Sequence, residues 1–224
     1  MAQHPKRLMF AHFAATAQAL ASPARVEIID LLIQGERSVE SVAGATPLSV
    51  ANASHHLQRL HRAGLLRRRR AGKEVLYDIA DEGVVALYRE LGRFTDRHSA
   101  DAQMVRANLY GPRDPEPPLS PEALLERLST DPPITLDVRP TLEYEAGHLP
   151  GAISMPVELL AAKHAELPAE GDVVTYCRGP QCVYAFEAIE RLRPAGRRAL
   201  RLEGGFMEWR YLGLPIVKGQ GRHC

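Results

Sequence analysis

Apolar positions recur every three to four residues through roughly the first half of this chain, and short continuous apolar runs replace them beyond residue 134. Ser22-Pro23 reads as a helix cap followed by proline at the first helical position. It opens a helix through Val26, Ile29 and Leu32 that stops at Gly35. Ser38 caps a second, short helix over 39–45, and Ser49 caps a third. In that third helix Ala53, Leu57 and Leu60 share one face. The other side carries Ala51, His55, Gln58, Arg59 and Arg62, flanked by Asn52 and Ser54. After Gly64 the period becomes that of strands, and 65–70 with 74–79 predict a hairpin turning at Ala71-Gly72-Lys73. Beyond it Val84, Leu87, Leu91, Phe94, His98, Ala102, Val105 and Leu109 form one long stripe, suited to a helix that pairs with a second copy.

Five prolines between 112 and 121 cannot continue a helix and predict an extended, semi-rigid spacer. The expected division is 1–109, a linker at 110–121, and 122–224. In the last part strands at 134–139, before Cys177 and at 199–202 alternate with helices at 141–146, around Leu159 and Leu160, through Ala185, Ile189 and Leu192, and at 206–209. That order predicts a parallel α/β sheet with functional loops at the strand C-termini. The N-terminal part, two short helices joined by a tight turn and followed by a hairpin, predicts a winged helix-turn-helix. The fold class expected is therefore multidomain: a mainly-α winged helix-turn-helix, then an α/β domain with a parallel sheet.

Charge sharpens the first half. Residues 1–110 hold 15 Lys and Arg against 11 Asp and Glu, whereas 111–224 hold 13 against 16. Between His55 and Lys73 there are seven basic residues and no acidic one, an electrostatic footprint for a polyanion. Ser49, Asn52, Ser54, His55, Gln58, Arg59 and Arg62 would meet a DNA major groove, with Arg67, Arg68, Arg69, Arg70 and Lys73 along the backbone of a double-stranded operator. With 45% hydrophobic and 25% charged residues and no apolar run near the roughly 20 needed to span a bilayer, no membrane partner is expected. The N-terminus reads as a mature helix, a secretory signal being the weaker alternative. Three cysteines without a framework of pairs suit a reducing cytoplasm. No cofactor and no metal set is expected; His98 with Asp101 reads as an exposed or interfacial pair.

The chemistry gathers at Cys177-Arg178-Gly179-Pro180-Gln181-Cys182-Val183, where a strand ends in cysteine and a helix begins. Turn amides and the helix dipole both favour a thiolate there, or a sulfur atom carried on it. Cys182, five residues on, could attack such a sulfur and close a bridge; the alternative is a small packing residue on the first turn of the helix. Cys224 reads as an exposed tail thiol.

Two resemblances follow. "A-S-P-A-R" from Ala21, "S-H-H-L-x-x-L-x-x-A-G-L" from Ser54 and the hairpin "R-x-G-K-x-V-L-Y" resemble the ArsR family of bacterial repressors over about ninety residues. The resemblance implies DNA binding as a homodimer, yet the Cys-x-Cys and His-x-x-Glu metal motifs of sensing relatives are absent. "L-D-V-R" from Leu136, "G-H-L-P-G-A" from Gly147, "Y-C-R-G" from Tyr176 and "L-E-G-G-F-x-E-W" from Leu202 look like one rhodanese (sulfurtransferase) domain. This implies a persulfide on Cys177, cradled by the amides of Arg178, Gly179, Pro180, Gln181, Cys182 and Val183 as far as proline allows. Arg178 would steer anionic donors, and Asp137 with Arg139 would brace the loop. Phosphatase-like chemistry on this fold needs an arginine six positions after the cysteine, where Val183 stands.

The expected function is a transcriptional regulator, a repressor by resemblance, that senses reactive sulfur (polysulfide, persulfide or thiosulfate) through Cys177 and a Cys177–Cys182 bridge. The rival is an active sulfurtransferase with an accessory DNA-binding domain. A third reading makes the rhodanese fold an inert interaction platform.

Overall fold

The computed structural model describes residues 5–111 and 113–223, the side chains of 222 and 223 excepted, and Cys224 lies outside them. The chain forms two compact units, Met1–Leu91 and Gly92–Cys224.

The first unit contains α1 (Pro5–Leu20), α2 (Pro23–Ile33), β1 (Arg37–Ser38), α3 (Val39–Ala45), α4 (Val50–Arg62), β2 (Leu66–Ala71), β3 (Glu74–Ile79) and the start of α5 (Glu82–His98). Serine caps start the short helices: Ser38 Oγ accepts from the Ser41 amide, and Ser49 Oγ from the Asn52 amide. Ser22 stands at the start of α2 in extended backbone, but its side chain makes no cap bond, so Pro23 alone marks that start. Ile28, Ile29 and Leu32 of α2, Val42 of α3 and Ala53, Leu57 and Leu60 of α4 are all fully buried, and α4 packs against both α2 and α3. Gly64, at φ +77°, takes the left-handed conformation that ends α4, and the Leu65 amide returns to the Leu60 carbonyl. The antiparallel sheet runs β1-β3-β2, with Arg68 opposite Tyr77 and Arg70 opposite Val75. Strand β1, two residues long, is too short for any periodicity to reveal.

The second unit contains the end of α5 and α6 (Ala100–Tyr110), α7 (Pro121–Thr130), β4 (Ile134–Asp137), α8 (Thr141–Ala146), β5 (Ile153–Ser154), α9 (Val157–Lys163), β6 (Val173–Tyr176), α10 (Tyr184–Leu192), β7 (Ala199–Arg201), α11 (Gly205–Tyr211) and β8 (Arg222–His223). Its sheet, in the order β7-β6-β4-β5-β8, is parallel throughout. Successive residues of β6 face opposite sides. Val173 enters a core closed by α9 and α10 through Leu160, Ile189 and Leu192. Val174 and Tyr176 enter a second core closed by α7, α8 and α11 through Leu124, Tyr144, Phe206 and Trp209. Both faces of the sheet are therefore covered, as a parallel sheet requires.

Two expectations are corrected. The long apolar stripe does not follow one helix: Ser99 adopts extended backbone and its Oγ accepts from the Ala102 amide at 3.2 Å, ending α5 and capping α6. The proline-rich segment is extended but not a spacer. Asp114, nearly fully buried, accepts from Arg193 at 2.8 Å and Arg201 at 2.7 Å. The Leu119 amide donates to the Arg201 carbonyl and the Glu203 amide to the Leu119 carbonyl, which fastens the segment beside β7.

Candidate functional site

Cys177 follows β6 directly and Cys182 precedes α10 by two residues; the structure joins them in a disulfide with Cα atoms 6.3 Å apart. Cys177 is 2% exposed, whereas Cys182 is partly exposed. The loop between them closes as a turn, the Cys182 amide donating to the Gly179 carbonyl at 3.1 Å.

The loop is suspended from α11. The Phe206 amide donates to the Cys177 carbonyl at 2.8 Å and the Met207 amide to the Arg178 carbonyl at 2.9 Å. These bonds use donors at the first turn of α11 that have no partner within the helix. Such an approach demands glycine. A Cβ at Gly205 would overlap the Cys177 carbonyl, and both Gly204 and Gly205 have positive φ, which is the physical content of the Gly-Gly motif.

Charge around the cysteine is matched locally. Asp137 and Arg139 are both fully buried and paired, the Arg139 Nε donating to Asp137 Oδ1 at 2.9 Å and Nη2 to the Gly147 carbonyl at 2.7 Å. The guanidinium lies 4.0 Å from the Phe206 ring centroid and 5.5 Å from that of Tyr176. Asp137 and Arg139 thus support the two residues on either side of the Cys177 carbonyl rather than the sulfur itself. Burial opposes the Arg139 charge, but Asp137 outweighs it with charge and hydrogen bonds, and the group titrates above its ordinary value. Burial, then the Asp137 charge, pushes the Tyr176 phenol well above its own.

Arg178 does not stand clear of the protein as an anion-steering group. Its Nε and Nη2 grip the Glu143 carboxylate at 2.9 and 2.6 Å, and Glu143 is 1% exposed. Arg178 is therefore a strut between the loop and α8. Hydrophobic pattern hides Glu143, because α8 buries this carboxylate while leaving the adjacent Leu142 exposed. His148 stacks on Tyr144 at 3.7 Å, its Nδ1 2.8 Å from the Tyr144 carbonyl, and so belongs to the core. Gly179, Pro180, Gln181 and Val183 complete the loop, with Gln181 exposed.

On the first unit α4 exposes Asn52, His55, Gln58, Arg59 and Arg62, with Ser49 at its cap. Ser54 is half-buried and accepts from Gln58 Nε2 at 3.1 Å. The basic strand is not uniform. Arg67 pairs with Asp78 at 2.5 Å and Arg69 with Glu36, while Arg68 and Arg70 project from the other face of β2 and Lys73 from the turn. His56 turns inward, its Nδ1 buried without a partner; burial, followed by the charge of Arg25, lowers its pKa. Among the described residues no group of three His, Cys, Asp or Glu could hold a metal, and no helix is long and apolar enough to cross a membrane.

A winged helix-turn-helix joined to a parallel α/β domain with a cysteine loop defines a class: DNA-binding regulators that carry a rhodanese-like domain. Residues 22–68 match the family described as "Bacterial regulatory protein, arsR family" and residues 120–211 the family "Rhodanese-like domain". The HTH-type transcriptional regulator Rv0324 of Mycobacterium tuberculosis is 42% identical over 96% of this chain and 94% of its own. A sulfurtransferase of Allochromatium vinosum is 35% identical over 45% of this chain and 94% of its own. The solution structure of a homodimeric winged helix-turn-helix domain from Mycobacterium bovis is 38% identical, covering 45% of this chain and 95% of that one, with a TM-score of 0.41. The chain belongs to the ArsR-type transcriptional regulators that carry a rhodanese-like domain.

Proposed function

We propose that this regulator responds to sulfane sulfur through Cys177 and Cys182, and that bridging the two cysteines changes its affinity for DNA. The observation that carries the reading is the placement of the two sulfurs within bonding reach, at the end of β6 and the start of α10. With polysulfide as donor and oxidant the steps balance. The Cys177 thiolate takes one sulfane sulfur, leaving a polysulfide shorter by one sulfur. The Cys182 thiolate then attacks Cys177 Sγ; the Sγ–Sγ bond forms as the bond to the sulfane sulfur breaks, and that sulfur leaves with the electron pair as hydrosulfide. The two thiols give up two protons, one ending on the hydrosulfide and one in solvent; both thiols are oxidised, and one sulfane sulfur is reduced.

DNA would be met by α4 and the outer face of β2, with Arg68, Arg70 and Lys73 toward the phosphates. The regulator acts as a dimer in this reading, because α5 leaves Leu87, Leu91 and Phe94 exposed along one side and α1 exposes Phe10 and Phe13. Reducing cytoplasm is where such a bridge carries information, since there it forms only when a donor is present.

The sulfurtransferase named above, similar to the second unit, supports the rival of catalytic turnover. A bridging Cys182 speaks against it, because it removes the persulfide before an acceptor can take it. The test is a gel-shift titration on DNA upstream of the protein's own gene, before and after polysulfide, with Cys177→Ser and Cys182→Ser alongside. The proposal expects polysulfide to shift the parent midpoint and neither variant's. An unmoved midpoint in the parent, with steady turnover of thiosulfate, establishes the enzyme instead.

A further inference from the structure

We propose that Tyr110 is the residue through which the cysteine loop acts on the helices leading to the DNA-binding unit. The inference rests on the reading of Cys177 and Cys182 as the responsive pair and names its coupling element. Tyr110 ends α6, and its hydroxyl donates to the Gln181 carbonyl at 2.6 Å. Gln181 immediately precedes Cys182, in the middle of the Gly179–Cys182 turn, and no backbone amide among the described residues donates to its carbonyl. The Tyr110 ring lies 5.3 Å from that of Phe186 in α10, the helix that Cys182 introduces.

Neighbouring contacts hold the tyrosine in register. The Arg106 guanidinium, paired with Asp96 at 2.6 Å, lies 5.9 Å from the Tyr110 ring centroid. Arg113 forks onto Glu190 of α10 with two bonds of 2.7 Å. On the other side of the loop tip, the Gln181 side-chain amide reaches α5. Its nitrogen is 3.6 Å from where a Cβ on Gly92 would stand, so even alanine there would touch it. One exposed residue of the cysteine loop is therefore bonded to α6 and lies beside α5.

The bridge fixes the loop ends and with them the direction of the Gln181 carbonyl. Opening it leaves the Cys177 and Arg178 carbonyls on α11 but frees the three peptide units between Gly179 and Cys182 to rotate, and the acceptor of Tyr110 is no longer held in place. The last turn of α6 is then anchored in the bridged state and loosened in the dithiol state. Because α5 and α6 are consecutive helices joined through Ser99, ordering at Tyr110 changes the ensemble of the pair, which is a differential interaction with two states.

Hydrogen–deuterium exchange on the full chain tests this without any DNA. The parent and Tyr110→Phe are each prepared as dithiol and as polysulfide-bridged protein, with bridge formation followed by mass. The expected result is exchange across 104–111 that is roughly fivefold slower in the bridged parent, the factor one hydrogen bond supplies. Tyr110→Phe should close the bridge at the parental rate and, as the dithiol, unfold at the parental temperature, yet show less than about a twofold difference. No difference in the parent, or a parental difference in Tyr110→Phe, overturns the proposal. Operator affinity measured on the same samples separates the two readings. If exchange responds and affinity does not, the coupling stands and the sensor reading fails; if affinity responds in Tyr110→Phe as in the parent, Tyr110 is not the route.

Discussion

Asp137 and Arg139 stand two residues apart and form a fully buried ion pair whose role is to hold Tyr176 and Phe206 around the Cys177 carbonyl. Removing one charge leaves the other unmatched in the core. Asp137→Asn should therefore lower the unfolding free energy of the second unit by about 3–5 kcal/mol in urea titration. The motif "L-D-V-R" marks both residues through the rhodanese resemblance, but their ion pair with each other is visible only in the fold. Arg178 was not legible as a support: its type and position suggest a free cation, and only the buried Glu143 partner makes it a strut. A free cation is a property of surroundings, which a motif does not contain. Glu143→Gln tests the assignment. It should lower stability by about 2 kcal/mol, because Arg178 is partly exposed and keeps some hydration.

Among the elements, β2 divides its arginines by strand alternation. Arg68→Ala and Arg70→Ala should each reduce the salt dependence of DNA affinity by about one counterion, measured as the slope of log affinity against log salt. Arg67→Ala and Arg69→Ala should change it less, since Asp78 and Glu36 already neutralise those side chains. The helices α3 and α4 and the hairpin were readable because caps, period and Gly64 all agree there. By contrast α7 begins with Ser120-Pro121, the same pair that opens α2, but the surrounding prolines obscure it. Neither β1 nor β8 has enough residues to show a period, and both exist because a neighbouring strand offers its edge.

The fastening of the proline-rich segment carries a pH signature. Burial raises the Asp114 pKa, but hydrogen bonds from Arg201 and Arg193 more than offset it, and the folded carboxyl titrates below its ordinary value. A depressed carboxyl contributes stability that is complete above the unfolded value of about 4 and is lost as pH falls through the folded value. Proteolysis within 112–119 should accordingly accelerate below about pH 4 in the parent. Asp114→Asn should be cut rapidly already at neutral pH.

At the scale of the whole molecule, the two families and their order along the chain were legible from the motifs. What composition could not reveal is that the proline-rich segment packs within the second unit, and that α6 belongs with that unit as well. The proposed dimer depends on the exposed side of α5. Leu91→Glu should shift sedimentation from dimer to monomer and weaken operator binding by at least about tenfold, because two half-sites are then no longer held together.

In the proposed reading one chemical event, bridging of Cys177 to Cys182, sets operator affinity. The most direct test equilibrates the full chain across a series of dithiol–disulfide redox buffers and measures, on the same samples, the bridged fraction by mass and the operator affinity by fluorescence anisotropy. The prediction is that both follow one two-electron curve with a common midpoint, and that Cys182→Ser flattens the affinity curve. If affinity stays constant while the bridge opens and closes, the bridge is no signal to DNA.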